Sequence, residues 1–178
     1  MTIRADALRS RERILAAARD HPRGGDVRLN DLAREAGVGV GTVYRHFPTQ
    51  QALTEALSMG TLARMLAAAR AALSEPEASV AFTGLVTEAL ELQLSDGGLQ
   101  AVLMSPDGES AEVRETKQEI YAAFSAVLQR AQAEKAVRPE VNVIDIQHLI
   151  CGLEHSVRLG DEGSRDLYTA VILAGLRC

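Results

Sequence analysis

Thr42, Tyr44, Arg45 and His46 stand within one short stretch, and each can contact nucleic acid. On a helix running from Gly41 to Phe47, Val43 and Phe47 lie four apart and point inward. The four polar side chains then point outward. An arginine matches guanine O6 and N7 through two N–H groups, and a threonine can meet a base edge. Tyr44 and His46 suit phosphate oxygens, contacts that position a protein without reading sequence. Gly41 belongs to the same surface. Thr49, next to Pro48, caps a helix that begins at Gln50. The free N–H groups around Thr49 and Gln50 form a natural phosphate site. Upstream, Arg9, Arg11 and Arg13 share a helix expected to run from Arg9 to Arg19, and are expected at phosphates. Residues 1–8 are expected to form a mobile arm carrying Arg4.

The elements that position these residues are legible on both sides. Leu29, Leu32, Ala33 and Ala36 recur at helical spacing, with Asn30 as the expected cap. Gly37 ends that helix where the chain needs a positive φ. A helix, a glycine turn and a second helix with an outward polar face form a helix-turn-helix, whose second helix enters the major groove. The stretch Arg11 to Leu57 resembles the DNA-binding head of the tetracycline-repressor (TetR) family. The matching residues are Arg13 to Ala18, Leu32-Ala33, Ala36-Gly37-Val38, Gly41-Thr42-Val43-Tyr44, His46-Phe47 and Leu53. The chain departs from the pattern at Gln50, where the family carries lysine. It also lacks the usual aromatic in His21 to Asp26, which predicts an early end to helix 1.

The chain of 178 residues is 47% hydrophobic and 24% charged, which is ordinary globular composition. It has no Trp and only 3% aromatics, so its core must be aliphatic. The net charge of −5 divides unevenly. Residues 1–60 hold nine Arg against seven Asp and Glu, while residues 61–178 hold ten basic and seventeen acidic residues. Phosphate contact needs only a locally basic surface, so an acidic total does not exclude DNA. Two cysteines, Cys151 and Cys178, are too few for a disulfide framework. With no apolar leader, and no apolar run near the roughly 20 residues a membrane span needs, a cytoplasmic protein without membrane contact is expected.

Six more helices are expected after the head. Helix 4 runs from Gln50 to Leu73, about 36 Å at 1.5 Å per residue, with Leu53, Leu57, Met65, Leu66 and Leu73 inward. Helix 5 spans Pro76 to Leu94, with Val80, Leu85, Val86, Ala89, Leu90 and Leu94 inside. A short helix 6 covers Leu99 to Met104 and is closed by Ser105-Pro-Asp-Gly. Ser110 caps helix 7, which extends to Ala136. Helix 8 begins after Asn142 and ends at Gly160, and helix 9 covers Ser164 to Leu176. The fold class is all-α, about nine helices. A three-helix head (1–48) precedes an effector-binding and dimerisation bundle (49–178).

Phe82, Val86, Met104, Tyr121 and Phe124 are expected either to line a cavity or to form plain core. Gln147, Cys151 and His155 join them from helix 8. His148, Cys151 and His155 share one helical face and could in principle hold zinc. A pocket or interface is the simpler reading, and no metal, cofactor or catalytic residue is assigned. No phosphate loop, nucleophile motif or acid–base pair stands out, so no enzyme is expected. The family resemblance implies a homodimer through helices 8 and 9, with Leu149, Leu153, Val157, Leu167, Val171 and Ala174 in contact. It also implies double-stranded operator DNA of two-fold symmetry and a small effector, with repression as the expected role. An effector-independent architectural regulator and a helical enzyme or carrier with a relic head are the alternatives.

Overall fold

The computed structural model describes residues 2–21, 28–105, 110–161 and 163–178, with backbone alone at 2–4. The polar loop at 22–27, the turn at 106–109 and the side chain of Arg4 lie outside the described residues. Among those described there are nine helices and no strand. In chain order they are α1 (Thr2–Arg19), α2 (Leu29–Glu35), α3 (Val40–His46), α4 (Gln50–Ser74), α5 (Ala78–Ser95), α6 (Leu99–Met104), α7 (Ala111–Ala133), α8 (Val143–Leu159) and α9 (Ser164–Leu176).

Two compact units share these helices. One comprises residues 1–60 and 96–114, the other 61–95 and 115–178. This division does not fall at the expected 48/49 boundary. The first turns of α4 and α7, and all of α6, belong with the head.

The head closes around Ile14, Leu15, Ala18, Leu32, Ala33, Val43 and Phe47, all buried. Helix α1 begins at Thr2 rather than Arg9, because no helix breaker precedes Arg9. Asp6 pairs with Arg9, and Ser10 Oγ donates to the Asp6 carbonyl at 2.9 Å. Asn30 does not cap α2. The helix starts one residue earlier, with Asp31 and Leu32 N–H bonded to the Arg28 carbonyl at 2.9 and 3.3 Å. Gly37 does end it, at φ +60°. Val38 N–H returns to the Ala33 carbonyl at 2.9 Å and Gly37 N–H to Arg34 at 3.2 Å, the paired bonds of a left-handed helix end. Arg13 donates to the Gly37 carbonyl at 2.9 Å, which ties α1 to that turn. In the same unit Asp96 is buried, taking Ser58 Oγ at 3.2 Å and Gly98 N–H at 3.1 Å, so the start of α6 is pinned to α4.

In the second unit α8 packs on both α5 and α9. Its start is a capping box. Asn142 Oδ1 takes Ile144 and Asp145 N–H, and Asp145 takes Asn142 N–H at 2.9 Å. The inner stripe of α4 here is Leu62, Met65 and Ala69. Leu73, expected inside, is exposed, because Arg130 closes that helix end on the carbonyls of Ala72, Leu73 and Glu75. Val80 is exposed as well. The inward face of α5 is set by Ala78, Ala81, Phe82 and Leu85.

Replacing Gly37 tests the head's key turn. A Cβ there would stand 2.6 Å from the Arg13 guanidinium in a backbone that L-residues avoid. Gly37→Ala is expected to destabilise the head by about 1–2 kcal/mol, read as faster hydrogen exchange of the α2 and α3 amides.

Candidate nucleic-acid interface and buried polar cluster

Recognition-type geometry on α3 follows from one buried ring. Phe47, only 1% exposed, closes α3 against the α1 and α2 core, and Val43 lies beneath it. With those two residues inward, Tyr44, Arg45 and Gly41 are exposed, and Thr42 and His46 are half-buried. A Cβ at Gly41 would meet nothing within 4 Å, so packing does not require glycine there. The Arg11 guanidinium lies over the Phe47 ring at 5.5 Å, a cation–π contact that holds the side chain at the end of α3. His46 lies beside the same ring, centroids 6.3 Å apart. Arg9 and Arg13, expected at phosphates, are engaged within the head with Asp6 and Gly37. Thr49 Oγ1 takes Ala52 N–H at 3.0 Å and caps α4 as expected, beside the exposed Gln50.

One surface residue escaped the sequence reading. Val40 opens α3 and is 46% exposed. Gly39 is extended (φ −68°, ψ 144°), so the helix begins at Val40 and not at Gly41. An exposed methyl-bearing residue in the first turn of such a helix matches the thymine methyl group.

The second unit brings polar side chains together in apolar surroundings. Cys151 on α8 is buried, and its Sγ donates to Gln93 Oε1 on α5 at 3.8 Å. Gln147 Nε2 donates to the same sulfur at 3.3 Å. Tyr121 on α7 is half-buried, and its phenol pKa is raised by burial first and by Cys151 second. One turn beyond Cys151, buried Glu154 pairs with Arg158, whose Nη2 also caps α5 at the Gln93 and Leu94 carbonyls, both at 3.3 Å. Sequence reasoning missed Gln93. The signal was its spacing, four from Ala89 and seven from Val86, both buried.

The expected pocket residues differ in burial. Phe82, Val86, Phe124 and Cys151 are buried, and Tyr121 and Gln147 are half-buried. Met104 is 45% exposed and belongs to the head unit, because α6 turns Leu99, Val102 and Leu103 inward instead. His155 is exposed, four residues along α8 from Cys151 but on the flank facing away from the core. His148 is exposed too, so His148, Cys151 and His155 do not converge. No group of three or more His, Cys, Asp and Glu able to hold a metal occurs among the described residues.

On its other face α8 forms a groove of about 450 Å³ with α9, lined by Leu149, Gly152, Tyr168 and Val171. Leu149, Leu167, Val171 and Ala174, expected at the dimer contact, are exposed, and Val157 is half-buried. Leu153 borders the groove but is itself only 3% exposed, already covered within the chain.

Family models match both parts of the chain. Residues 23–57 match the bacterial regulatory proteins of the tetR family. Residues 75–178 match the C-terminal domain of SbtR-like transcriptional regulators. The chain belongs to the TetR family of transcriptional regulators. A TetR transcriptional regulator of Streptomyces coelicolor is 30% identical, with 94% of this chain and 98% of that one covered and a TM-score of 0.55. The fold is shared with AmtR of Mycobacterium smegmatis (24% identity, 92% and 84% covered, TM-score 0.63). It is also shared with the fatty acid degradation regulator FadR of Bacillus halodurans (14%, 95% and 98% covered, TM-score 0.53). No curated protein matches the chain. The TetR assignment makes this a DNA-binding protein, and no helix among the described residues is long and apolar enough to cross a membrane.

The raised pKa of Tyr121 gives a pH test. A phenol held neutral in the fold stabilises it fully below its unfolded pKa, and that contribution fades as pH rises through the folded one. The difference in ultraviolet titration between wild type and Tyr121→Phe is expected to show a phenol ionising above the ordinary value of 10.0.

Proposed function

We propose that this TetR regulator is a homodimeric repressor that a small, mostly apolar molecule releases from a two-fold symmetric operator. One observation carries the DNA half. Phe47 and Val43 are buried while Tyr44, Arg45 and Gly41 stand clear of the head on the opposite face of α3. Arg45, Thr42 and Val40 read base edges. Tyr44, His46, Arg11 and the first N–H groups of α4 at Thr49 and Gln50 hold phosphates. Gly41 lets the helix backbone approach the groove.

The exposed apolar side chains of α8 and α9 support the dimer. Leu167 and Val171 are 60% and 61% exposed on a helix with only Ser164 and Leu176 buried. Covering that face with a second copy places two recognition helices on one duplex, which suits half-sites related by a two-fold axis. Tyr121, Gln147 and Cys151, among Val86 and Phe124, form the effector region. Helix α4 is a single run of 25 residues that contributes to both compact units, so it is the mechanical link by which an effector changes the heads. Effector and DNA then compete through a population shift, and each weakens the other by the same factor.

Arg45→Ala is expected to weaken operator binding by about 1–3 kcal/mol and to relax selectivity at one base pair, measured by fluorescence anisotropy over a set of singly substituted operators. Unchanged selectivity would remove Arg45 from base contact. Leu167→Arg with Val171→Arg changes only exposed positions, so the chain is expected to stay helical and sediment as a monomer. A folded dimer at the same concentration would place the interface elsewhere.

A further inference from the structure

We propose that the effector is a neutral molecule that presents a carbonyl-type oxygen to the side-chain amide of Gln93. The inference rests on the effector reading above and names the chemistry of that site. Gln93 is 1% exposed, on the inward face of α5. Its Nε2 has no hydrogen-bond partner, although the atom is fully buried. Buried amide groups nearly always find partners, so an orphan of this kind calls for one.

The direction of the surrounding bonds decides what that partner must be. Gln147 Nε2 donates to Cys151 Sγ, and Cys151 Sγ donates to Gln93 Oε1. With Gln147 giving a proton to the sulfur and the thiol's own proton going to Oε1, the Gln93 amide turns its N–H groups away from Cys151. The relay therefore runs from α8 to α5 and ends on two N–H groups. A relay that ends on donors is completed by an acceptor and not by another donor. Polarisation along the chain strengthens that last donor.

Charge settles the rest of the class. Glu154, one turn from Cys151, is a buried carboxyl group, and Arg158 is committed to it and to the end of α5. Lys117, one turn before Tyr121 on α7, is buried and has a partner of its own. An anionic ligand would meet that carboxylate with Arg158 and Lys117 already engaged, and its own desolvation would go uncompensated. A ketone, aldehyde, ester or lactone oxygen meets Gln93 without that penalty. The apolar body of the ligand suits the residues one and two turns away on the same face, Leu90 and Val86 on α5 and Ile150 on α8.

The test uses the full chain and three probes of one size: acetophenone, cumene and benzoate. Binding is followed by calorimetry and by the ¹H–¹⁵N signals of the Gln93 side-chain amide, with operator affinity measured in parallel. Acetophenone is expected to shift the Gln93 amide pair and to bind about tenfold more tightly than cumene. Gln93→Met, similar in volume and without the amide, is expected to remove that preference while the chain stays folded. Equal binding of acetophenone and cumene by wild type would overturn the proposal, as would an unmoved Gln93 signal at saturation or tighter binding of benzoate. Absence of binding by all three would overturn it too. Failure of the effector reading looks different. Acetophenone that engages Gln93 but leaves operator affinity unchanged supports the amide site and removes the effector role. Cumene that releases the operator as well as acetophenone does keeps the effector role and removes Gln93.

Discussion

The burial of Phe47 is the constraint on which the DNA-facing half of the molecule depends. Its ring fills the space between α1, α2 and α3, and a buried aromatic of this size fixes the rotation of a seven-residue helix that could not hold itself. Once Phe47 and Val43 point inward, helical geometry leaves Tyr44 and Arg45 no direction but outward. The same ring seats Arg11 by a cation–π contact, so one core residue orients both the helix and a neighbouring cation. Gly37 acts one step earlier. Its left-handed turn sets the angle at which α3 leaves α2, and Arg13 locks that turn from α1.

In the second unit the organising element is α8, which serves two faces at once. Ile146, Ile150 and Cys151 turn inward, with Glu154 neutralised by Arg158, while Leu149, Gly152 and Leu159 are left outside. Apolar side chains on two flanks of one helix are ordinarily both covered. Here a single chain covers only part of α8 and part of α9. The uncovered apolar side chains are not scattered, because Leu149 of α8 and Val171 of α9 line one groove.

Much of this was legible in the sequence because it is local. The start of α8 after Asn142, the Ser110 cap, the glycine at position 37 and the period-four pair Val43 and Phe47 all act within one or two turns of chain. The misreadings have a different origin. Asn30 is a fine cap residue by type, yet the hydrogen bonds of α2 begin at Arg28. Leu73 fits the apolar stripe of α4, yet Arg130, 57 residues away, closes the helix end and leaves that side chain outside. Met104 and His155 fit a pocket by composition, and their helices turn other faces inward. Gln93 was the reverse case, a polar residue whose inward position makes sense only when Cys151, 58 residues later, supplies the bond. Long-range partners decide such positions, and local spacing cannot name them.

The open space around Gly41 has a consequence for how such a molecule can change. Nothing in the head touches the place where a side chain would grow, and Tyr44 and Arg45 lie equally clear of the core. The chassis of α3 and its outward lettering are thus nearly independent in energy. After a gene duplication, one copy can drift at positions 41, 44 and 45 toward a new target sequence while its fold carries almost none of the burden. Drift at 37, 43 or 47 has no such freedom. The head therefore divides into a part that selection on folding must hold still and a part that only selection on the target restrains.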